Sequence, residues 1–387
     1  MIEDDIYRAS SQYRYWSYTK ESLARIREET NKLASQRVKA AFRRVHAANR
    51  SSQNGDHENG GTGNGDGPDA AHVEIETLTV HEELKIVEWH CSKIMDMGEA
   101  MNPRIPSHVV ATAIQYLRRF YLTNSPMTYH PKQIMMCALY LATKADHFYI
   151  PLSRFIAEFD NVSEDDVKAP EFLLLQGLRF TLDVRHPMKG LQGGHVEMNV
   201  LAEEGRLGSS ITKANGSEKR VGIAADRAKK LLATAAQMTD AYFLYTPSQI
   251  WLAAVMVADR ELVEAYVSAK LGALPLAAND AEAAAANFKQ KLMATLSSCA
   301  ALLESYRSAE DDAAQRKEMR RIGKKLTVCQ NPEKMDIVAV ARAKAAEKRE
   351  GGDGSDAEKA LKKRKLERER LERDGDVFGP ELRDVKT

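Results

Sequence analysis

Chemistry needs side chains that can attack, move a proton or hold a metal, and in this sequence such residues are scattered rather than grouped. The four cysteines, Cys91, Cys137, Cys299 and Cys329, include no pair at the short spacing of a zinc knuckle or redox motif. They read as reduced, structural thiols. His90 and Cys91 adjoin, but two adjacent ligands without a second pair make a poor metal site. No phosphate-binding glycine loop, nucleophile elbow or zinc-protease signature occurs. The sequence therefore predicts no catalytic residue, no metal and no cofactor. Charged residues at helix ends remain. Lys144 closes an apolar stretch, where periodicity alone makes it a surface lysine suited to a helix C-terminus. The tetrapeptide KKRK at 362–365 fits a nuclear localisation pattern. Glu367, Glu369 and Glu372 soon neutralise it, so a charged, disordered tail is the equal alternative.

The elements that would position these residues are helices. The 56 basic and 55 acidic side chains cancel, leaving no chain-wide field for nucleic acid or membrane. The first residues carry Glu3, Asp4 and Asp5 and lack the apolar core of a signal peptide, and no apolar run reaches membrane-spanning length. A soluble protein is expected. An N-terminal segment and helix occupy 1–45, with Thr19 as N-cap and a stripe of Leu23, Ile26, Leu33, Val38 and Phe42. Residues 46–72, dominated by Gly, Asn, Asp and Ser, read as a disordered linker. From about 73 to 308 apolar residues recur three and four apart, interrupted at Asn102–Pro106, Asn124–Pro131, Tyr149–Pro151, Ala169–Pro170, His186–Pro187, Gly205–Gly222 and Thr246–Pro247. Ala169–Pro170 is the doubtful break, which could only kink a helix. A charged, helix-forming region at 309–350 and a charged tail at 351–387 complete the chain.

The helical region repeats itself. HPKQIMMCALYLA at 130–142 aligns with TPSQIWLAAVMVA at 246–258, and Phe120-Tyr121-Leu122 with Tyr242-Phe243-Leu244. Each copy centres on a helix apolar nearly all round, which means burial on every side, preceded by an amphipathic helix at 107–122 or 220–244. Two similar helical domains, 73–184 and 185–308, follow from the pattern.

Local sequences give this architecture a family. SSQYRYWSYTKESLARIREETN at 10–31, HEELKIVEW at 81–89, IPSHVVATAIQYLRRFYLTNSPMTYHPKQIMMCALYLATKAD at 105–146 and TDAYFLYTPSQIWLAA at 239–254 resemble the cyclins, and among them the cyclin-H type. The resemblance covers roughly 10–45 and 73–310. It implies an all-α fold of two tandem cyclin boxes with N- and C-terminal helices packed on the first. The implied function is a non-catalytic, nuclear regulatory subunit that binds and activates a cyclin-dependent kinase. That kinase would act on the RNA polymerase II tail within general transcription factor IIH, beside a RING-finger assembly factor, and in many organisms would activate other cyclin-dependent kinases too. No direct contact with nucleic acid or membrane is implied.

The resemblance also implies a kinase interface. LATKADHFYIP resembles the cyclin-box segment whose lysine pairs with a glutamate of the fifth helix, which here makes Lys144 and Glu171 the pair. Phe172, Leu175, Phe180 and Leu182, in EFLLLQGLRFTL at 171–182, match family positions that face the kinase. On the residues alone a leucine-rich helix packs inward, so core packing stays open for some of them. Where the family usually carries glutamate three positions after the lysine, His147 stands here, preceded by Asp146. The first helix lacks the Met-Arg-Ala-Ile-Leu patch with which cell-cycle cyclins recruit substrates. A Mediator-associated cyclin is the alternative within the family. A transcription-factor-IIB-like DNA-binding repeat is the alternative outside it, and would need a basic face that this sequence lacks.

Overall fold

A computed structural model describes residues 3–54, 75–208, 211, 216–272, 281–307 and 313–331, and among these the chain is helical with no strand. Two short helices, α1 (Glu3–Ala9) and α2 (Ser11–Trp16), lead into the long α3 (Lys20–Asn54). The first box follows with α4 (Val80–Ala100), α5 (Ser107–Thr123), α6 (Pro131–Ala145), α7 (Leu152–Ala157), α8 (Glu164–Lys168) and α9 (Glu171–Gly177). The second box comprises α10 (Pro187–Glu203), α11 (Ser217–Ala233), α12 (Ala235–Met238), α13 (Ala241–Leu244), α14 (Pro247–Ala258), α15 (Arg260–Gly272) and α16 (Ala281–Ser305). Last comes α17 (Ala313–Gln330).

Proline and caps set the boundaries. Pro131, Pro187 and Pro247 occupy first-turn positions, where their missing N–H costs nothing. Thr79 with Glu82 and Thr246 with Gln249 form reciprocal capping boxes that start α4 and α14. Thr19 Oγ1 accepts the Ser22 backbone N–H at 3.2 Å, as expected of the cap of α3. That helix runs on through Asn54, into the stretch read as linker; residues 55–74 lie outside the described residues. Leu33 faces solvent, 50 % exposed, and its neighbour Ala34 is buried instead. Between 220 and 244 the structure has three helices where one was expected. The chain breaks at Thr234 without proline or glycine, and the buried Gln237 carboxamide bonds Leu232 O and the Tyr242 hydroxyl across the break.

Each box has its own core, with α6 central to the first and α14 to the second. Within α14 the Trp251 indole lies against Gly190 and Gly194 of α10, and a Cβ on Gly194 would overlap the ring. Gly194→Ala should therefore destabilise the protein. Overpacking costs about 1–3 kcal/mol, more than the roughly 0.5–1 kcal/mol gained by replacing glycine inside a helix. A raised denaturation midpoint for this variant would contradict the packing.

The flanking helices differ in what they brace. Met319, Ile322, Leu326 and Cys329 of α17 enter the first core. Glu82, buried on α4, accepts Lys325 Nζ at 2.9 Å and Arg321 at 2.6 Å. The N-terminal helices touch both boxes, because Trp16 of α2 and Leu23 of α3 share a third cluster with Leu122 of the first box and Phe243 of the second. The expectation of packing on the first box alone was too narrow. His186, half-buried at the junction, bridges the Thr112 and Tyr242 hydroxyls at 2.9 and 3.0 Å, and desolvation there pushes its pKa down to about 3, which favours the neutral imidazole.

The clamp at Glu82 gives a pH test. Burial alone would raise its pKa, but the Thr79 amide, Lys325 and Arg321 outweigh it and hold the carboxyl at about 2 rather than 4.5. A depressed carboxyl stabilises the fold above its unfolded value, and that stabilisation is lost as pH falls through the folded value. Between pH 4.5 and about 2 the wild type should lose α17 contacts that Glu82→Gln already lacks. Hydrogen exchange at 313–331 that responds to acid identically in both proteins would contradict this.

Candidate functional site

Among the described residues the cysteines and His90 are taken up by packing. The four cysteines are free and buried. Burial pushes the Cys91, Cys137 and Cys299 thiols up to about 12 and Cys329 to about 11, which keeps them protonated and unreactive. His90 is buried with Nδ1 2.7 Å from Ile86 O, and burial lowers its pKa to about 3. No group of three His, Cys, Asp or Glu among the described residues could hold a metal ion. No helix among them is long and apolar enough to cross a membrane.

The exposed chemistry gathers where α6 ends and α9 begins. Lys144 lies in the last turn of α6 and Glu171 in the first turn of α9, each with the sign that suits its helix end. The two side chains form an ion pair and hydrogen bond, and Lys144 Nζ also sits 5.1 Å from the Tyr140 ring centroid. Both remain partly exposed. Phe172, next to Glu171, is 63 % exposed and tilts against Phe180, also 63 % exposed, with centroids 6.2 Å apart. Leu175 and Leu182 are half-buried against the first core, and Leu182 O accepts the Tyr116 hydroxyl at 2.7 Å. The fully buried residues of this segment are Leu174 and Leu178.

Four of the six residues read from the sequence thus stay partly or largely exposed, as an ion pair and two phenyl rings in mutual contact that adjoin at Glu171–Phe172, while the two leucines pack against the first core. The expected helix over 171–182 stops at Gly177. Arg179 and Phe180 then take left-handed backbone, φ 52° and 53°. His147, at φ 59°, is exposed, and its Nδ1 lies 3.0 Å from the hydroxyl of Tyr149, itself 74 % exposed. Asp146 caps α6, and its Oδ2 is buried with no hydrogen bond among the described residues.

Sequence reasoning missed how this face is held. The Trp16 indole N–H donates to Thr181 Oγ1 at 2.8 Å, and the guanidinium carbons of Arg119 and Arg179 lie 5.1 and 5.3 Å from its ring centroid. It also missed the brace between the boxes, in which Asp240 accepts from Arg27 and Arg118. The tryptophan and the charges are visible in the sequence, but nothing in their spacing pairs residues so far apart.

Comparison with known proteins bears on the fold and the family. Residues 86–183 match the cyclin N-terminal domain and residues 186–304 the cyclin C-terminal domain. The chain is 34 % identical to Cyclin CCL1 of Saccharomyces cerevisiae over 269 residues, 69 % of this chain and 62 % of that protein. It is 29 % identical to Cyclin mcs2 of Schizosaccharomyces pombe over 268 residues, 69 % of this chain and 73 % of that one. To Cyclin-H of Xenopus laevis it is 30 % identical over 192 residues, 47 % of this chain and 54 % of that protein. It thus spans less than two thirds of the length of the budding-yeast and frog proteins. Among solved structures, a chain of the CAK complex from Chaetomium thermophilum bound to ATP-gamma-S superposes with TM-score 0.67 at 29 % identity, covering 92 % of this chain and 99 % of that one. A chain of the yeast TFIIK (Kin28/Ccl1/Tfb3) complex gives 0.53 at 28 % identity, covering 77 % and 100 %.

Proposed function

Because the chain belongs to the cyclin family, with similarity to its cyclin-H type, we propose that it is the regulatory subunit of a cyclin-dependent kinase in the kinase module of general transcription factor IIH. Its kinase would phosphorylate the RNA polymerase II tail and would also activate other cyclin-dependent kinases. The observation that carries this reading is the exposed face itself. Two phenylalanines, each 63 % exposed and in mutual contact, stand beside a partly exposed ion pair on the first box. Large apolar side chains in an otherwise polar rim mark a surface that a partner covers. A kinase helix carrying the active-site glutamate is the partner that cyclins hold, and phosphoryl transfer requires that glutamate to be paired with the kinase lysine. In this reading Lys144, Glu171, Phe172 and Phe180 touch the kinase, with Leu175 and Leu182 beneath them.

The chain itself would transfer no phosphate. A RING-finger assembly factor is the third expected member of the complex, by analogy with the Tfb3 component of the yeast TFIIK complex. Nuclear residence is part of the proposal; the basic tetrapeptide at 362–365 lies outside the described residues. Affinity purification of the tagged chain, followed by mass spectrometry, tests the assignment. A co-purifying kinase and RING-finger protein are expected. Promoter DNA or polymerase recovered without a kinase would replace the assignment.

A further inference from the structure

Phe180 is presented by a backbone that ordinary side chains avoid. After α9 the Arg179 N–H donates to Gln176 O and the Phe180 N–H to Leu175 O, both at 2.9 Å, which closes the helix with a reversed turn. The first left-handed position of such a turn is usually glycine, sometimes asparagine. Here Arg179 fills it and Phe180 follows in the same region, at φ 52° and 53°. Strain of this kind persists only where the surroundings over-determine it, and it clusters at binding sites.

One residue reaches both sides of Phe180. Trp16, buried at the end of α2, stacks near the Arg179 guanidinium and donates its indole N–H to Thr181 Oγ1 at 2.8 Å. Thr181 in turn donates its hydroxyl to Leu178 O at 2.7 Å. Trp16 therefore grips the residue before Phe180 and the residue after it, while the phenyl ring itself stays in solvent beside Phe172.

We propose that Trp16 is a positioning residue for kinase binding, holding the 179–181 turn in its left-handed form so that Phe180 is set for the kinase before the two meet. The inference rests on the kinase-binding reading above. It adds that affinity is controlled from the N-terminal segment, through the turn. A pre-set side chain loses less freedom on binding than one that must be ordered by the partner.

The test is a double-mutant cycle on the full chain, with the kinase that co-purifies with it as the probe. Trp16→Phe keeps a ring in place and removes the indole donor. It should weaken kinase binding about fivefold, the factor of one lost hydrogen bond, with melting nearly unchanged. Its effect should vanish in a Phe180→Ala background and persist in a Lys144→Ala background; a merely structural role would weaken both alike. Should Trp16→Phe lower the melting temperature, Thr181→Val removes the same bond from the other side and is read in the same cycle. Normal binding by Trp16→Phe and Thr181→Val, or an undiminished effect without the Phe180 ring, overturns the proposal. Normal binding by Phe180→Ala would instead remove the interface reading, and this inference with it.

Discussion

Replacing Asp240 by alanine should lower the unfolding free energy by about 3 kcal/mol, the low end for breaking a buried ion pair from one side. Asp240 takes two bonds from Arg27 of α3, at 2.8 and 2.6 Å, and one from Arg118 of α5 at 2.9 Å. Arg118, 8 % exposed, also donates to Met238 O and Thr239 O. One carboxylate thus joins the N-terminal helix, the first box and the second. Burial pushes its pKa up, but the two guanidinium groups outweigh this and hold it below the ordinary aspartate value. Its contribution is therefore complete above the unfolded pKa and lost as pH falls through the folded one. The low end is chosen because the Asp240 side chain keeps 27 % of its surface in solvent, so the two stranded cations recover some hydration. Guanidinium unfolding at neutral pH measures the loss. A change below about 1 kcal/mol would show that the brace behaves as an ordinary surface pair.

Charge reversal at the exposed face should have the opposite signature, a large effect on binding and little on folding. In the free chain Lys144 and Glu171 retain 37 % and 29 % of their side-chain surface, so their pair is worth roughly 0–1 kcal/mol. Covered by a kinase, each becomes a desolvated charge whose loss costs about 2–5 kcal/mol of binding. Lys144→Glu and Glu171→Lys should therefore each weaken kinase binding by about tenfold or more with near-normal melting. The double reversal separates the alternatives. If the residues only brace the box, restoring the pair with swapped signs restores binding; if they meet the kinase, binding stays weak. Lys219→Glu, on an exposed part of α11, is a suitable control. Lys85 is not, since its Nζ pairs with Glu318 of α17 at 2.7 Å.

Much of this architecture was legible because proline and capping residues punctuate it. The buried central helices announced themselves through a repeat in which Pro131 and Pro247 open equivalent elements. Legibility failed where structure depends on contacts distant in sequence. Nothing near Thr234 breaks a helix by composition, and the buried Gln237 bonds that hold the break come from folding. Leu33 and Ala34 exchange their expected roles because a helix face is chosen by what it packs against, not by the larger side chain. In the segment 171–182 seven of twelve residues are Leu or Phe, with three leucines in succession, so periodicity could not say which side faces out. The turn after Gly177 decides it. Leu174 and Leu178 go inward, Phe172 and Phe180 outward, and the left-handed pair at 179 and 180 has no glycine to betray it.

The proposed kinase activation is measured most directly as phosphate incorporation into a heptad-repeat peptide of the polymerase tail, using the purified co-purifying kinase. The chain alone should incorporate none, the kinase alone little, and the two together several-fold more, with the gain reduced by Lys144→Glu and by Phe180→Ala. Equal activity of the kinase with and without the chain, or turnover by the chain on its own, would contradict a regulatory cyclin.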